Sequence, residues 1–220
     1  MFLRSNMIKL LVIAGPSAVG KTTVAHEILS ADSRFSLSRS ATTRAPRGDG
    51  YDSEYIYLSR SEFERRIASG EVLEYTEYAG AYYGTPHSEI ERIDKEGKIP
   101  LLILDRQGVA SLSHSPLVAS CAVYIYDDIS VMEERLRKRF ETDSSPERES
   151  RLKSRIEKNL ADYREIFDTA PHLYAFVKNG GTPNETALAV IEAFSEFSHG
   201  TPRDERKINR ISVDLFKSVK

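Results

Sequence analysis

The chain has 220 residues, 40% of them hydrophobic and 29% charged, which is the composition of an ordinary globular protein with room for one large domain. Its net charge of −2 excludes bulk electrostatic attraction to nucleic acid or anionic lipid, so we expect neither as a partner. A lone cysteine, Cys121, makes no internal disulfide. We expect it to be a small buried side chain in a cytoplasmic protein.

The first apolar run, KLLVIA (9–14), has the pattern of a strand buried on both faces. It is too short to cross a bilayer, and it leads directly into a glycine loop. We therefore interpret it as a core strand and not as a signal peptide or a membrane anchor. A helix is expected to follow from Thr22 to about Ser30.

The loop between them, GPSAVGKT (15–22), matches G-x-x-x-x-G-K-[ST] in the strand–loop–helix context that this phosphate-binding motif requires. Its glycines let backbone N–H groups turn toward a phosphate, and the helix N-terminus adds partial positive charge. We expect Lys21 to reach the β- and γ-phosphates of ATP and the Thr22 hydroxyl to ligate Mg²⁺. The predicted ATP-binding residues are Gly15, Pro16, Ser17, Ala18, Val19, Gly20, Lys21, Thr22 and Thr23.

Residues 40–55, SATTRAPRGDGYDSEY, hold two arginines, Arg44 and Arg47, that a stiff Ala-Pro pair keeps apart. Arginine suits a bidentate grip on phosphate. In isolation the stretch would be interpreted as a solvated charged loop. Beside a phosphate-binding loop, a second anion clamp indicates a kinase whose acceptor already carries a phosphate.

The middle of the chain, roughly 38–98, has short strand candidates and is interpreted as a polar insertion on the α/β core. A small helix opens at Ser59, with Glu62 as the partner in a capping box and Gly70 as the stop. Hydroxyl donors are expected from Tyr55, Tyr82 and Tyr83. Glu74 could accept hydrogen bonds from the edge of a base.

Three later apolar runs predict buried strands, at 100–105, 121–126 and 173–177. Helices are expected after Asp128, over 147–167 and over 185–197. This alternation predicts an α/β fold with a largely parallel sheet. Asp105, at the end of the first of these strands, is a candidate metal-side acid or a helix N-cap, and the two roles are compatible.

Taken together, these segments resemble the guanylate kinases from about Ile8 to Phe197. The resemblance is carried by GPSAVGKTT, SATTRAPR, EYIYLSRSEFERRIASGEVLEY, GAYYGT, LDRQG and RLRKR, in this order and spacing. It implies a P-loop NTPase fold, a parallel sheet flanked by helices, with a small mixed acceptor-binding insertion and a helical lid. The implied boundaries are a core at about 6–37, 99–139 and 157–200, an insertion at 38–98, a lid at 140–156 and an extension at 201–220.

The resemblance also implies Mg²⁺-dependent phosphorylation of GMP by ATP, with GMP and ATP as the small-molecule substrates of a monomer or homodimer. The implied catalytic residues are Lys21, Arg44, Asp105, Arg135, Arg139 and Arg155, with Thr22 and Asp105 at the metal. Implied contacts with the GMP phosphate or base are Ser40, Arg44, Arg47, Asp49, Tyr55, Glu74, Tyr83 and Thr85. Within this set, Ser40, Glu74 and Thr85 would read guanine, and Asp49 would orient Arg47 from a loop one residue shorter than usual.

One position departs from the family pattern, and several other interpretations stay open. Ile103 stands where the family carries its first metal-side acid, so we expect a thinner metal shell. Arg148 and Arg151 lie near acids and could be surface ion pairs in place of lid residues. A kinase for another phosphorylated acceptor, such as a ribose phosphate, or a non-catalytic phosphopeptide-binding module remain the alternatives. The intact Gly20, Lys21 and Thr22 favour catalysis.

The tail is expected to add a packed helix, whose apolar positions are Ile208, Ile211, Leu215 and Val219.

Overall fold

The computed structural model describes residues 7–46, 48, 50, 52–78, 80–141 and 143–220. The strands are β1 Ile8–Ala14, β2 Phe35–Leu37, β3 Ser40–Thr42, β4 Tyr55–Tyr57, β5 Val72–Tyr78, β6 Ala81–Pro86, β7 Ile99–Ile103, β8 Val118–Tyr126 and β9 Ala175–Lys178. The helices are α1 Lys21–Ala31, α2 Arg60–Ala68, α3 His87–Lys95, α4 Arg106–Leu112, α5 Ile129–Arg139, α6 Arg148–Arg164, α7 Ile166–Thr169, α8 Pro183–Ser198 and α9 Glu205–Lys217.

A five-stranded sheet in the order β2-β7-β1-β8-β9 forms the core, and all its neighbouring strands are parallel. The central strand β1 is fully buried from Leu10 to Ala14, as its continuous apolar run predicts. Parallel strands place their carboxyl ends at one edge, so the loop after β1 and the end of β7 lie at the same edge. The predicted α/β fold with a parallel core is confirmed.

A second sheet, in the order β4-β3-β6-β5, lies within the stretch interpreted as an insertion. It is mixed, because β3 and β4 are parallel whereas β6 is antiparallel to both β3 and β5. Sequence reasoning missed β2, β3 and β6. The first two have three residues each, too few for a period to show, and β6 contains Gly84 and ends in Pro86.

Two predicted helix details are wrong in part. Ser59 accepts the Glu62 N–H at 3.2 Å, but the Glu62 carboxylate pairs with Arg65 and Arg66 and does not return to the cap. The helix expected over 147–167 breaks at Glu165, which separates α6 from α7. A complete capping box forms at the start of α8 between Thr182 and Glu185.

The last helix, α9, packs against α6, α7 and β9. Its apolar face is buried through Ile208, Ile211 and Leu215. Just before it, Arg203 donates to the carbonyls of Ala170, Pro171 and Leu173. Tertiary packing and hydrogen bonds therefore both hold the C-terminal segment on the core.

Cys121 is completely buried, and burial raises the pKa of its thiol. Among the residues that the structure describes, no helix is long and apolar enough to span a membrane.

Candidate active site

One cleft of about 720 Å³ opens between the phosphate-binding loop and the second sheet. It collects most of the side chains predicted to act, although they come from separate parts of the chain. The predicted residues that line it are Gly15, Ser17, Ala18, Gly20, Lys21, Thr22, Thr23, Ser40, Arg44, Tyr55, Glu74, Tyr83, Asp105, Arg135, Arg139 and Arg155.

Three predicted residues do not line the cleft. Pro16 does not line the cleft, Val19 is fully buried in the core, and Thr85 is buried behind Glu74. Arg47 and Asp49 lie outside the described residues, so the predicted contact between them stays a prediction.

Glycine is required at two positions of the phosphate-binding loop. Gly15 has φ +147°, and a Cβ there would lie 2.2 Å from the Ile125 carbonyl oxygen. Gly20 caps α1 in the left-handed region at φ +104°, where a Cβ would lie 2.6 Å from Asn179 Nδ2. A side chain at either position would meet backbone strain and a collision, so the loop conformation depends on both glycines.

Lys21 lies in the first turn of α1, and its ammonium curls over the loop. Its Nζ donates to the carbonyl oxygens of Gly15 at 2.7 Å and Pro16 at 2.8 Å. Burial lowers the pKa of Lys21 to about 8, although Asp162 and Asp105 act in the opposite direction. The loop thus holds a partly desolvated cation at the place where its motif expects a phosphate.

Two buried asparagines fasten this loop from distant parts of the chain. Asn159 of α6 accepts the Ser17 N–H at 2.8 Å and donates to the Ser17 carbonyl at 3.0 Å. Asn179, just after β9, donates to the Val19 carbonyl at 2.7 Å and accepts from Thr186 at 2.7 Å. Sequence reasoning found neither, because no local motif marks a residue that acts on a loop more than a hundred positions away.

On the opposite wall of the cleft, Arg44 lies over the ring of Tyr55, 4.5 Å from its centroid, with only 9% of its side chain exposed. Its Nη1 donates to the Ala45 carbonyl at 2.8 Å. Its buried Nε and Nη2 find no hydrogen-bond partner among the described residues. Arg44 Nη1 also lies 3.7 Å from Asp52 Oδ1. Because buried donors are normally paired, the two remaining donors indicate a site for a further anion.

Glu74 lies deeper on the same wall, where 3% of it is exposed. The Thr85 hydroxyl donates to Glu74 Oε1 at 2.7 Å. Burial raises the pKa of Glu74 to about 7, and the nearby Asp105 raises it further while the Thr85 hydrogen bond lowers it. A buried carboxylate that lines the cleft can accept from paired N–H donors of a ligand.

Asp105 follows β7 at the sheet edge that faces the phosphate-binding loop. Its Oδ1 accepts the Gly108 N–H at 2.8 Å, so its role as the N-cap of α4 is confirmed. Its Oδ2 lies 3.8 Å from Lys158 Nζ. Ile103, two residues earlier, also lines the cleft, so the position without an acid does face the site.

The arginines expected in the lid lie along α5 and α6. Arg135 Nη1 is 3.1 Å from the buried Asp127 Oδ2 and donates to the Val19 carbonyl at 3.4 Å. Arg155 Nη1 donates to Ser17 Oγ at 3.4 Å. Arg151 instead pairs with Asp143 away from the cleft, in agreement with its interpretation as a surface ion pair.

Sequence reasoning missed several side chains on the cleft, among them Glu54, Lys158, Asp162 and Asn179. Lys158 and Asp162 follow Arg155 at helical spacing, so they share one face of α6 with it. That spacing was a usable signal, because a helix that presents one arginine to a phosphate site presents its i+3 and i+7 neighbours there too.

Comparisons with known proteins all indicate one family. Residues 7–171 match the family model of guanylate kinases. Guanylate kinase from Clostridium perfringens (strain SM101) is 36% identical over 216 residues, which cover 98% of this chain and 92% of that protein. Guanylate kinase from Rubrobacter xylanophilus is 38% identical over 164 residues, or 73% of this chain and 83% of that protein. In fold, the chain is similar to the crystal structure of guanylate kinase from Anaplasma phagocytophilum, with a TM-score of 0.65 and 24% identity over 90% of this chain and 89% of that one.

Proposed function

Because the chain belongs to the guanylate kinase family, we propose that it transfers the γ-phosphoryl group of ATP to GMP and yields ADP and GDP. The observation that carries this proposal is the cleft itself. It places the phosphate-binding loop opposite a buried arginine with two donors that have no partner in the described part of the chain. A site with two anion-binding walls suits a donor and an acceptor that both carry phosphate.

On the donor side, backbone N–H groups of the loop and Lys21 would hold the ATP phosphates. Charge that develops on the transferring group would be offset by Lys21 and by the arginines that line the cleft from α5 and α6, Arg135, Arg139 and Arg155. These positive charges are held before the reaction begins, so little reorganisation is needed during phosphoryl transfer.

On the acceptor side, the GMP phosphate would complete the two unpaired donors of Arg44, with Tyr55, Tyr83 and Ser40 around it. Glu74 would accept from the ring N–H and the exocyclic amine of guanine, and Thr85 would hold the carboxylate in place. Adenine offers no such donor pair at this edge. The proposed base preference therefore rests on the buried Glu74.

The residues at the loop also suit Mg²⁺, since the Thr22 hydroxyl and the Asp105 carboxylate line the same cleft and are hard oxygen donors. Within the described part of the chain, no group of three or more His, Cys, Asp or Glu side chains could hold a metal. Water and nucleotide phosphates would therefore supply the remaining ligands. When bound, the metal would neutralise phosphate charge.

A cytoplasmic location stays a prediction.

A coupled assay of ADP release with GMP, dGMP, AMP, UMP and ribose phosphates tests the proposal. We expect turnover with GMP and much slower turnover with AMP, UMP and the sugar phosphates. If turnover with a ribose phosphate is as fast as with GMP or faster, the ribose phosphate is the acceptor in place of GMP. Binding of GMP without turnover at any Mg²⁺ concentration would favour a binding module, although the family assignment and the intact loop do not favour that alternative.

A further inference from the structure

Helix α6 brings into the cleft a cation that the loop motif does not include. Lys158 lines the cleft with 33% of its side chain exposed, and its Nζ lies 3.8 Å from Asp105 Oδ2. One turn further along, the side chain of Asp162 is 11% exposed and also lines the cleft. Burial raises the pKa of the Asp162 carboxyl, although the positive charges of Lys158 and Lys21 act in the opposite direction. An ammonium group thus stands among two carboxylates at the edge of the phosphate-binding loop.

The charges at this point include a cation that could contact a phosphate. Ile103 lines the cleft without contributing a carboxylate. Asp105 already uses Oδ1 to cap α4, and its Oδ2 faces Lys158. The protein therefore places a cation of its own beside Asp105, the carboxylate that would ligate Mg²⁺.

Lys158 can also reach a ligand. Its helix is fixed to the phosphate-binding loop by the neighbouring Asn159, which makes two hydrogen bonds to the Ser17 backbone. The stem of Lys158 therefore starts from a fixed base beside the loop. A lysine side chain is long and flexible, so its ammonium can move from Asp105 to a phosphate oxygen without a change in the backbone.

We propose that Lys158 is a phosphate-contacting cation of the ATP site, which supplies from the protein part of the positive charge that Mg²⁺ would otherwise bring to the triphosphate. The inference rests on the proposed function, since it takes ATP as the ligand of the loop. It adds a residue that the phosphate-binding motif does not contain. It also predicts that ATP binds to this protein with unusually little dependence on a divalent metal.

The test is a calorimetric titration of ATP into the full-length protein in EDTA and, separately, in excess Mg²⁺. We expect the wild type to bind ATP in EDTA. Lys158→Met should weaken metal-free binding by about 10- to 100-fold, the range for loss of one hydrogen bond to a charged group. The loss in Mg²⁺ should be smaller, and Lys158→Arg should keep most of the metal-free affinity.

Lys153→Met is the matched control, because Lys153 lies on α6 with 78% of its side chain exposed and does not line the cleft. It should leave both ATP affinities unchanged. Thermal unfolding and GMP titration of each variant report whether the fold and the acceptor side remain intact.

Asp105→Asn separates a phosphate contact from a merely structural ion pair. If Lys158 only braced Asp105, removing either charge would weaken ATP binding alike. If Lys158 contacts phosphate, the Asp105 carboxylate competes with the phosphate for Lys158 and also repels the phosphate. Asp105→Asn removes both effects, so metal-free ATP binding should become tighter. Opposite signs for Lys158→Met and Asp105→Asn therefore support the inference, and equal losses overturn it.

Two further results would count against it. A wild type that binds ATP only when Mg²⁺ is present overturns the inference and leaves the kinase proposal standing. A wild type that fails to bind ATP under both conditions overturns both.

Discussion

Thr85 and Glu74 face each other across the antiparallel strands β5 and β6, and the threonine hydroxyl donates to Glu74 Oε1 at 2.7 Å. Both side chains are almost completely buried. The pair holds a carboxyl group in a dry wall of the cleft, where its charged form is costly without a further partner. Two predictions follow from this one contact, and both concern pH.

The first concerns stability. The pKa of the Glu74 carboxyl is about 7 in the folded protein against 4.5 for the unperturbed group. Between these values the folded state binds the extra proton, so this group's contribution to stability falls as pH rises from 4.5 through 7. Urea unfolding should show that wild type loses about 2–3 kcal/mol relative to Glu74→Gln between pH 5 and pH 8.5. Parallel pH curves for the two proteins would contradict the buried, proton-holding Glu74.

The second concerns guanine selectivity. Only ionised Glu74 accepts two hydrogen bonds from guanine, so GMP affinity should rise with pH toward a plateau above about 7. The amide of Glu74→Gln must present a donor on one side, so this variant should lose much of the preference for GMP over AMP. Sites built around such polar pairing can reach a preference of about 10⁴–10⁵. Both proteins are titrated with GMP over pH 6–8.5. The effect of ionisation of the GMP phosphate is the same for both and cancels when their affinities are compared. A wild type that uses AMP as readily as GMP would remove the base-reading role from Glu74.

Lys21→Ala should abolish most turnover while the fold survives. Its ammonium donates to two loop carbonyls, and loss of one preorganised charge at a transferring group typically costs about 10²–10³ in rate. Steady-state kinetics and thermal unfolding measure the two effects separately. Lys95→Ala, at an exposed position of α3, is the control and should change neither. Near-normal turnover of Lys21→Ala would exclude the P-loop mechanism.

Arg44→Ala should weaken GMP binding and leave ATP affinity nearly unchanged. The variant removes a buried, cleft-lining guanidinium with two donors that have no hydrogen-bond partner among the described residues. Breaking a desolvated charge pair with the GMP phosphate should cost about 2–5 kcal/mol. Calorimetry with each nucleotide makes the comparison. Arg60→Ala is matched to it, because Arg60 also lies over a tyrosine ring, that of Tyr82, but does not line the cleft. If the two variants bind GMP equally well, Arg44 is not the clamp.

Ile103→Asp should lower the free Mg²⁺ needed for half-maximal turnover. Ile103 ends β7 and lines the cleft, so an acid there would join Thr22 and Asp105 near the nucleotide, and Mg²⁺ often takes only one or two protein carboxylates. Asp105→Asn should nearly abolish turnover in Mg²⁺. Mg²⁺ titrations of both variants and the wild type provide the measurement. A wild type inactive at every Mg²⁺ concentration but rescued by Ile103→Asp would mean that the native chain is not a working kinase.

Local patterns were enough to predict the features that lie within a short stretch of chain. The loop at 15–22 is a motif because its glycines, lysine and threonine act within one turn of backbone. The strand β1 was predictable from a continuous apolar run, and the Ser59 cap from residues three apart. Arg44 could be proposed as an anion binder from the sequence, since an Ala-Pro pair restricts the backbone beside it.

The sequence by itself thus determined the donor loop, the parallel core and the candidate acceptor residues. Tertiary structure alone decided which side chains meet. Asn159 and Asn179 fasten the loop, and Lys158 reaches Asp105, only once α6 has packed against α5 and β9 has paired with β8, the neighbour of β1. The raised pKa of Glu74 likewise arises from its burial where β5 pairs with β6 and packs against α4. Contacts between distant segments and desolvation are properties of the packed chain, and neither leaves a periodic or local trace in the order of residues.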